Sequence, residues 1–263
     1  MTHLTGTMRR IRAIGRAELT LLLRDGMALC NAVVPPLAIV GLAAAAKADP
    51  GGLPGNAFRV TGLLGLVLVG AVYFTLVGTY VARRERLVLK RLRVGEITDV
   101  EILTGTASPA IVLALAQIVV FTVAGAVFLG LPVPVNAPVL VLGALGGAGV
   151  FVLLAAASAA FTRTVELAQV TTMPLVLACL LGSGLMMPLD DLPGWVGEVV
   201  RFLPLTPAVE LMRLGWLGTT GAGAPVGFVA VFAAAAGPVA ILAAWAALGA
   251  VAVRRRFRWE PRR

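Results

Sequence analysis

Few residues in this chain are equipped for covalent or metal chemistry. Its 263 residues include one histidine, His3, and two cysteines, Cys30 and Cys179. Both cysteines fall inside apolar runs without CxxC or other ligand spacing, which reads as small buried hydrophobes. Neither GxxxxGK[ST] nor HExxH occurs, so a phosphate loop and a zinc-helix hydrolase both lack their residues. The expectation is no catalytic residue and no metal site. The chemistry that is present is recognition. Arg83–Thr106, RRERLVLKRLRVGEITDVEILTGT, sets six basic and four acidic residues between two long apolar runs. In it Glu85, Arg86, Lys90 and Arg93 offer charges that set register. Leu89 and Leu92 offer apolar area to a partner.

The elements that carry this island are membrane elements. Hydrophobic residues make up 59% of the chain and charged ones 13%, well below the quarter usual in soluble domains. The mean hydropathy is +0.95. The pattern predicts an all-α integral membrane protein of one domain, residues 1–263, with six spans. These lie at about 27–46, 60–82, 107–131, 138–161, 168–189 and 227–253. Residues 47–59 read as a Gly/Pro-rich loop, and 1–26 as an interfacial helix or a solvated lead-in. So polar a segment as the island belongs in water between spans two and three. Propensity favours a helix over Glu85–Arg93, then a break, with Thr98 or Asp99 capping the next turn.

Charge distribution orients the chain. Alternate segments, beginning with the N-terminus, hold eighteen Lys and Arg residues against four in the rest. The positive-inside rule then makes both termini and the island cytoplasmic. The net charge of +9 thus follows topology and no nucleic-acid partner is implied. Twenty of the twenty-two basic residues are arginine, a bias that suits a high-GC bacterium and hence its plasma membrane. Gly143 and Gly147, continued by Ala155 and Ala159, form a small-residue stripe for close packing against an unassigned helix.

Two further groups of residues are candidates for function. Thr79, Gln117, Ser158 and Gln169, with Asn31 and Ser183, are polar positions inside spans. They read as path-lining groups or as single interhelical hydrogen bonds. The stretch Pro188–Arg213, PLDDLPGWVGEVVRFLPLTPAVELMR, reads as two short helices on the outer face. Pro193 opens the first, Trp195, Val199 and Phe202 stripe it, and Pro204 stops it. Thr206 is expected to cap the second, with Pro207 at its first position. The pair either re-enters the outer leaflet as a gate or anchors the last span through Trp195 and Trp216.

The island resembles the cytoplasmic coupling segment of type-2 ABC transporter permeases, the drug- and antibiotic-exporter class. Glu85 matches that family's acidic residue near the end of span two, and Lys90–Arg93 its KRLR-like stretch. Gly95-Glu96-Ile97-Thr98 stands where members usually carry a Pro-containing turn. Pro188–Arg213 is similar to the family's segment after span five. The resemblance implies a permease without its own nucleotide site, gripped through Glu85, Arg86, Leu89, Lys90, Leu92 and Arg93 by a separate ATPase that holds ATP and Mg. It implies a second permease copy, identical or related, and Pro193, Trp195, Phe202 and Pro204 at an outer gate. Few polar groups in the spans suit an amphipathic or hydrophobic cargo such as a drug, antibiotic or lipid. A glycan exporter, a non-transporting scaffold, and a basic loop that only orients the chain stand as alternatives. No acidic or basic residue lies deep in a span, so ion coupling lacks its usual residue.

Overall fold

The computed structural model describes residues 52–85, 98–185, 194–220 and 224–256, with residues 37–41 and single positions between 16 and 34. All regular structure among them is helical. A continuous run opens it: α1 (Gly52–Val67), a π-helical segment π1 (Leu68–Phe74) and α2 (Thr75–Glu85). Then come α3 (Asp99–Leu129), α4 (Ala137–Phe161) and α5 (Val165–Gly182). Two short helices follow, α6 (Gly194–Arg201) and α7 (Thr206–Leu217). The last two are α8 (Phe228–Ala234) and α9 (Ala236–Arg256). Among the described residues five helical stretches are long and apolar enough to cross a membrane: α1–π1–α2, α3, α4, α5 and α9. Most of the expected first span, 27–46, lies outside the described residues. Those described within it, including 37–41, are helical.

Several expected boundaries move, each for a local reason. The expected loop over 47–59 is already helical from Gly52, because the buried stripe Val60, Leu64 and Leu68 continues back to Ala57. Pro54 falls in that helix's first turn, where a missing N–H costs nothing. The helix of span three begins at Asp99, eight residues ahead of the expected span. Thr98 accepts from the Glu101 N–H at 3.3 Å, and Glu101 accepts from the Thr98 N–H at 2.7 Å, a reciprocal cap. The helix of span five runs from Val165, capped by Thr164, to Gly182, ahead of the left-handed Gly184. Span six breaks at Ala235, since Pro238 has no N–H for the carbonyl of Ala234.

The hub of the bundle is α4, which packs against π1, α2, α7 and α9 and more lightly against α3 and α5. The glycines of the small-residue stripe find a partner here, α7, with Gly147 also against Leu68 of π1. A Cβ on Gly143 would meet Leu211 Cβ at 2.8 Å, and one on Gly215 would meet the Leu140 nitrogen at 2.3 Å. Glycines therefore let the two backbones touch from both sides. At 12 residues α7 spans only about 18 Å, too short for a hydrocarbon core of about 30 Å. Ten of those residues are buried nonetheless. Adding one methyl by Gly215→Ala should force the backbones apart and cost about 1–3 kcal/mol. A lower thermal midpoint of the purified full-length chain in detergent would show it. Gly149→Ala, with nothing within 4 Å of the new methyl, should leave the midpoint unchanged or slightly raised.

Candidate functional site

The last turn of α2 leads directly into the charged island, and its side chains reach three other spans. Tyr80 donates its hydroxyl to the Leu103 carbonyl of α3 at 3.0 Å. Arg83 Nη1 donates to Thr106 Oγ1, also on α3, at 3.0 Å. Arg84 turns the other way, to the C-terminus of α4. Its Nη1 donates to the Ala159 carbonyl at 2.8 Å, and its Nη2 donates to the carbonyls of Thr162 and Arg163. Glu85 then accepts the Val165 N–H at the start of α5, at 3.2 Å.

Physical chemistry dictates this arrangement. A helix leaves its last four carbonyls and first four N–H groups without intrahelical partners, and its dipole favours a cation at the C-terminus and an anion at the N-terminus. The link Thr162–Arg163–Thr164 is short, so the tail of α4 and the head of α5 lie side by side. Consecutive residues of opposite charge, Arg84 and Glu85, serve the two ends in the right order. Arg84 is only 1% exposed, and its planar fork suits three carbonyls better than an ammonium would. Both residues stand in the sequence island, but only Glu85 was a predicted site residue, and its carboxylate is engaged within the chain. Arg84, Tyr80 and Arg83 were missed. The available signal was an arginine-glutamate pair placed where an apolar run ends. Arg86, Leu89, Lys90, Leu92 and Arg93 lie outside the described residues.

The other end of the bundle has its own polar fastening. Arg213 on α7 is buried; its Nε donates to Thr61 Oγ1 at 3.0 Å and its Nη2 to the Gly184 carbonyl at 2.6 Å and the Phe58 carbonyl at 3.3 Å. The guanidinium carbon also stands 3.6 Å from the Phe58 ring centroid. Three oxygen acceptors and an aromatic face thus surround a side chain that keeps its charge in proteins. Asn136 caps α4 through the Val139 N–H at 3.1 Å and donates to the Phe228 carbonyl at 2.9 Å. Trp216 is wholly buried, donating to the Pro132 carbonyl at 2.8 Å, and is no interfacial anchor. Trp195 and Phe202 on and just after α6 are 76% and 63% exposed. Pro204 lies in the break between α6 and α7, and Pro193 is outside the described residues. The expected Thr206 cap is not made. Thr206 is the first residue of α7 and donates its hydroxyl back to the Val200 carbonyl at 2.6 Å, tying the two short helices together.

The four candidate path residues have different settings. Ser158 on α4 hydrogen-bonds Tyr73 of π1 at 2.9 Å, and Thr79 donates to the Thr75 carbonyl of its own helix at 2.9 Å. Gln117 is half-buried on α3, and Gln169 is exposed on α5. The Tyr73–Ser158 bond sits beside the π-helical segment, whose extra residue turns Tyr73 inward against Phe151, ring centroids 5.9 Å apart. Among the described residues no three His, Cys, Asp or Glu side chains are placed to hold a metal ion.

The family model described as ABC-2 type transporter matches residues 7–217. That interval takes in the island, the Arg84–Glu85 node and all of α7. No curated protein matches the chain.

Replacing Arg84 with Met should strip the α4 terminus of its donors and cost about 1.5–3 kcal/mol, the range for hydrogen bonds to a charged group. Hydrogen exchange of the Ala159–Arg163 amides and the thermal midpoint both report it. Glu85→Gln keeps an acceptor for the Val165 N–H and should lose less than about 1 kcal/mol.

Proposed function

The chain belongs to the ABC-2 type transporter family, and from that premise we propose that it is the permease of an ATP-driven exporter. A separate ATPase subunit holds ATP and Mg and docks on the island through Glu85, Arg86, Leu89, Lys90, Leu92 and Arg93. One observation carries this reading: the root of the island is hydrogen-bonded to α3, α4 and α5 at once. A push on the island reaches three spans through these bonds, all but the Arg83–Thr106 one to backbone groups, with little slack to absorb it.

The proposed topology has six spans, both termini and the island in the cytoplasm of a bacterium, and α6 and α7 entering from outside. The burial of α7 beside α4, despite its short length, supports an outer gate held inside the bundle. A second permease copy, identical or related, completes the path. Exposed apolar side chains on α5, among them Met173, Leu177 and Leu181, together with the Gln169 amide, provide a face for it. Such a path suits an amphipathic or hydrophobic compound (a drug, an antibiotic or a lipid). For coupling, nucleotide must favour one arrangement of the spans through contacts that differ between the two states.

Affinity purification of the full-length chain from its native membrane should bring down a stoichiometric ATPase subunit. The double variant Leu89→Asp, Leu92→Asp should insert normally yet lose both the ATPase and ATP-dependent export. Full-rate export by that variant would remove the docking assignment, and purification without any ATPase would remove the transport reading.

A further inference from the structure

A cavity of about 350 Å³ opens between α1, α3, α5 and the helical segment 37–41. Its volume lies within the roughly 300–1,000 Å³ of small-molecule sites. Val40, Leu63, Leu129 and Leu180 give it apolar walls from four segments, and Asn56 and Arg59 are the polar side chains among its described lining. On α1 the spacing Asn56, Arg59, Leu63, Leu66 runs down one face, polar groups first and leucines after. Arg213 occupies another face of the same helix through Phe58 and Thr61, so it does not supply the charge here.

Depth gives this order meaning. Arg59 lies 26 residues before Glu85 along one continuous helical run, about 39 Å at the helical rise. The hydrocarbon core is about 30 Å thick, so with Glu85 at one interface Arg59 stands among the headgroups of the other leaflet. Leu63 and Leu66 are about 33 and 28 Å from Glu85, at the edge of that hydrocarbon. The cavity therefore has its cation and amide at headgroup level and Leu63 and Leu66 where headgroups give way to acyl chains. Ile39 and Leu66 in its lining are 43% and 39% exposed, so the cavity is reached from the lipid side. Arg59 itself is exposed, and no carboxylate is among the described residues around the cavity.

We propose that this cavity binds an anionic amphiphile from the bilayer leaflet opposite the island. Its phosphate-bearing head pairs with Arg59 and Asn56, and one acyl chain lies between Leu63, Leu129 and Leu180. A net negative head is favoured over a zwitterionic one, because a choline would bring a second cation beside Arg59. The site is separate from the Arg84–Glu85 node and from the proposed ATPase contact, and it goes beyond the transport reading without resting on it.

Native mass spectrometry of the intact full-length chain, titrated in detergent with lysophosphatidylglycerol, lysophosphatidylcholine or glycerol phosphate, tests it. The chain should retain lysophosphatidylglycerol at concentrations about fivefold below those needed for lysophosphatidylcholine, since both phosphates can pair with Arg59 and only the choline adds a solvated like-charge contact beside it. Glycerol phosphate alone should not be retained. Arg59→Gln should abolish the preference between the two lipids, and Leu66→Trp, a change at the exposed rim, should weaken both. Equal retention of the two lipids by the unaltered chain, an undiminished preference in Arg59→Gln, or binding of glycerol phosphate as tight as that of the lipid would each overturn the assignment. Failure to recover an ATPase would sink the transport reading and leave these outcomes untouched.

Discussion

The Arg84 guanidinium on the last carbonyls of α4 is the contact on which the bundle's organisation rests. A helix that ends among other helices has little water to satisfy its terminal carbonyls, and each unsatisfied group is costly in an apolar setting. A buried arginine has the converse problem, since its N–H groups must find acceptors. Each here answers the other, with bonds to Ala159, Thr162 and Arg163. Because α4 is also the helix that most others touch, fixing its end fixes the frame for π1, α2, α7 and α9. Glu85 extends the same logic to the head of α5 one residue later.

At the far end a different kind of contact operates. There α4 and α7 meet through glycines, so close that a methyl on Gly215 would strike the Leu140 backbone. Lipid-facing helices gain little from burying apolar surface against one another, so contact area and backbone approach must supply the adhesion. Arg213 adds a polar lock from α7 to α1 and to the Gly184 carbonyl. The run α1–π1–α2 joins the two ends as one rod, fastened near Thr61 at one extreme and at Arg84 at the other. The π-helical segment lies in the middle of that rod, where Tyr73 meets Ser158. For the proposed transporter, this rod is the direct route from the docking island to the outer helices.

Patterning carried much of the architecture. Apolar runs of about twenty residues can satisfy their own backbone only as helices in lipid, so the all-helical membrane class and most spans follow from composition alone. The charged island was equally legible, because Arg, Lys and Glu at that density cannot enter hydrocarbon. Boundaries were less so. Gly52–Arg59 looks like a loop by its glycines and proline, yet Ala57 is buried and continues the stripe of Val60 and Leu64. Thr206 looks like an N-cap, yet it is the first residue of α7 and its hydroxyl donates to the Val200 carbonyl.

What the chain determined by itself, then, was which segments are apolar, which are charged and how they alternate, since transfer into lipid is a property of each segment alone. Pairing lay beyond it. That Gly143 and Gly147 face α7, that Trp216 is buried while Trp195 is exposed, and that Arg84 caps α4 while Glu85 caps α5, are facts about distances between residues tens of positions apart. Hydrogen bonds and close backbone contacts reach only a few ångströms, so side chains of the same type and similar context are assigned opposite roles once the helices are packed.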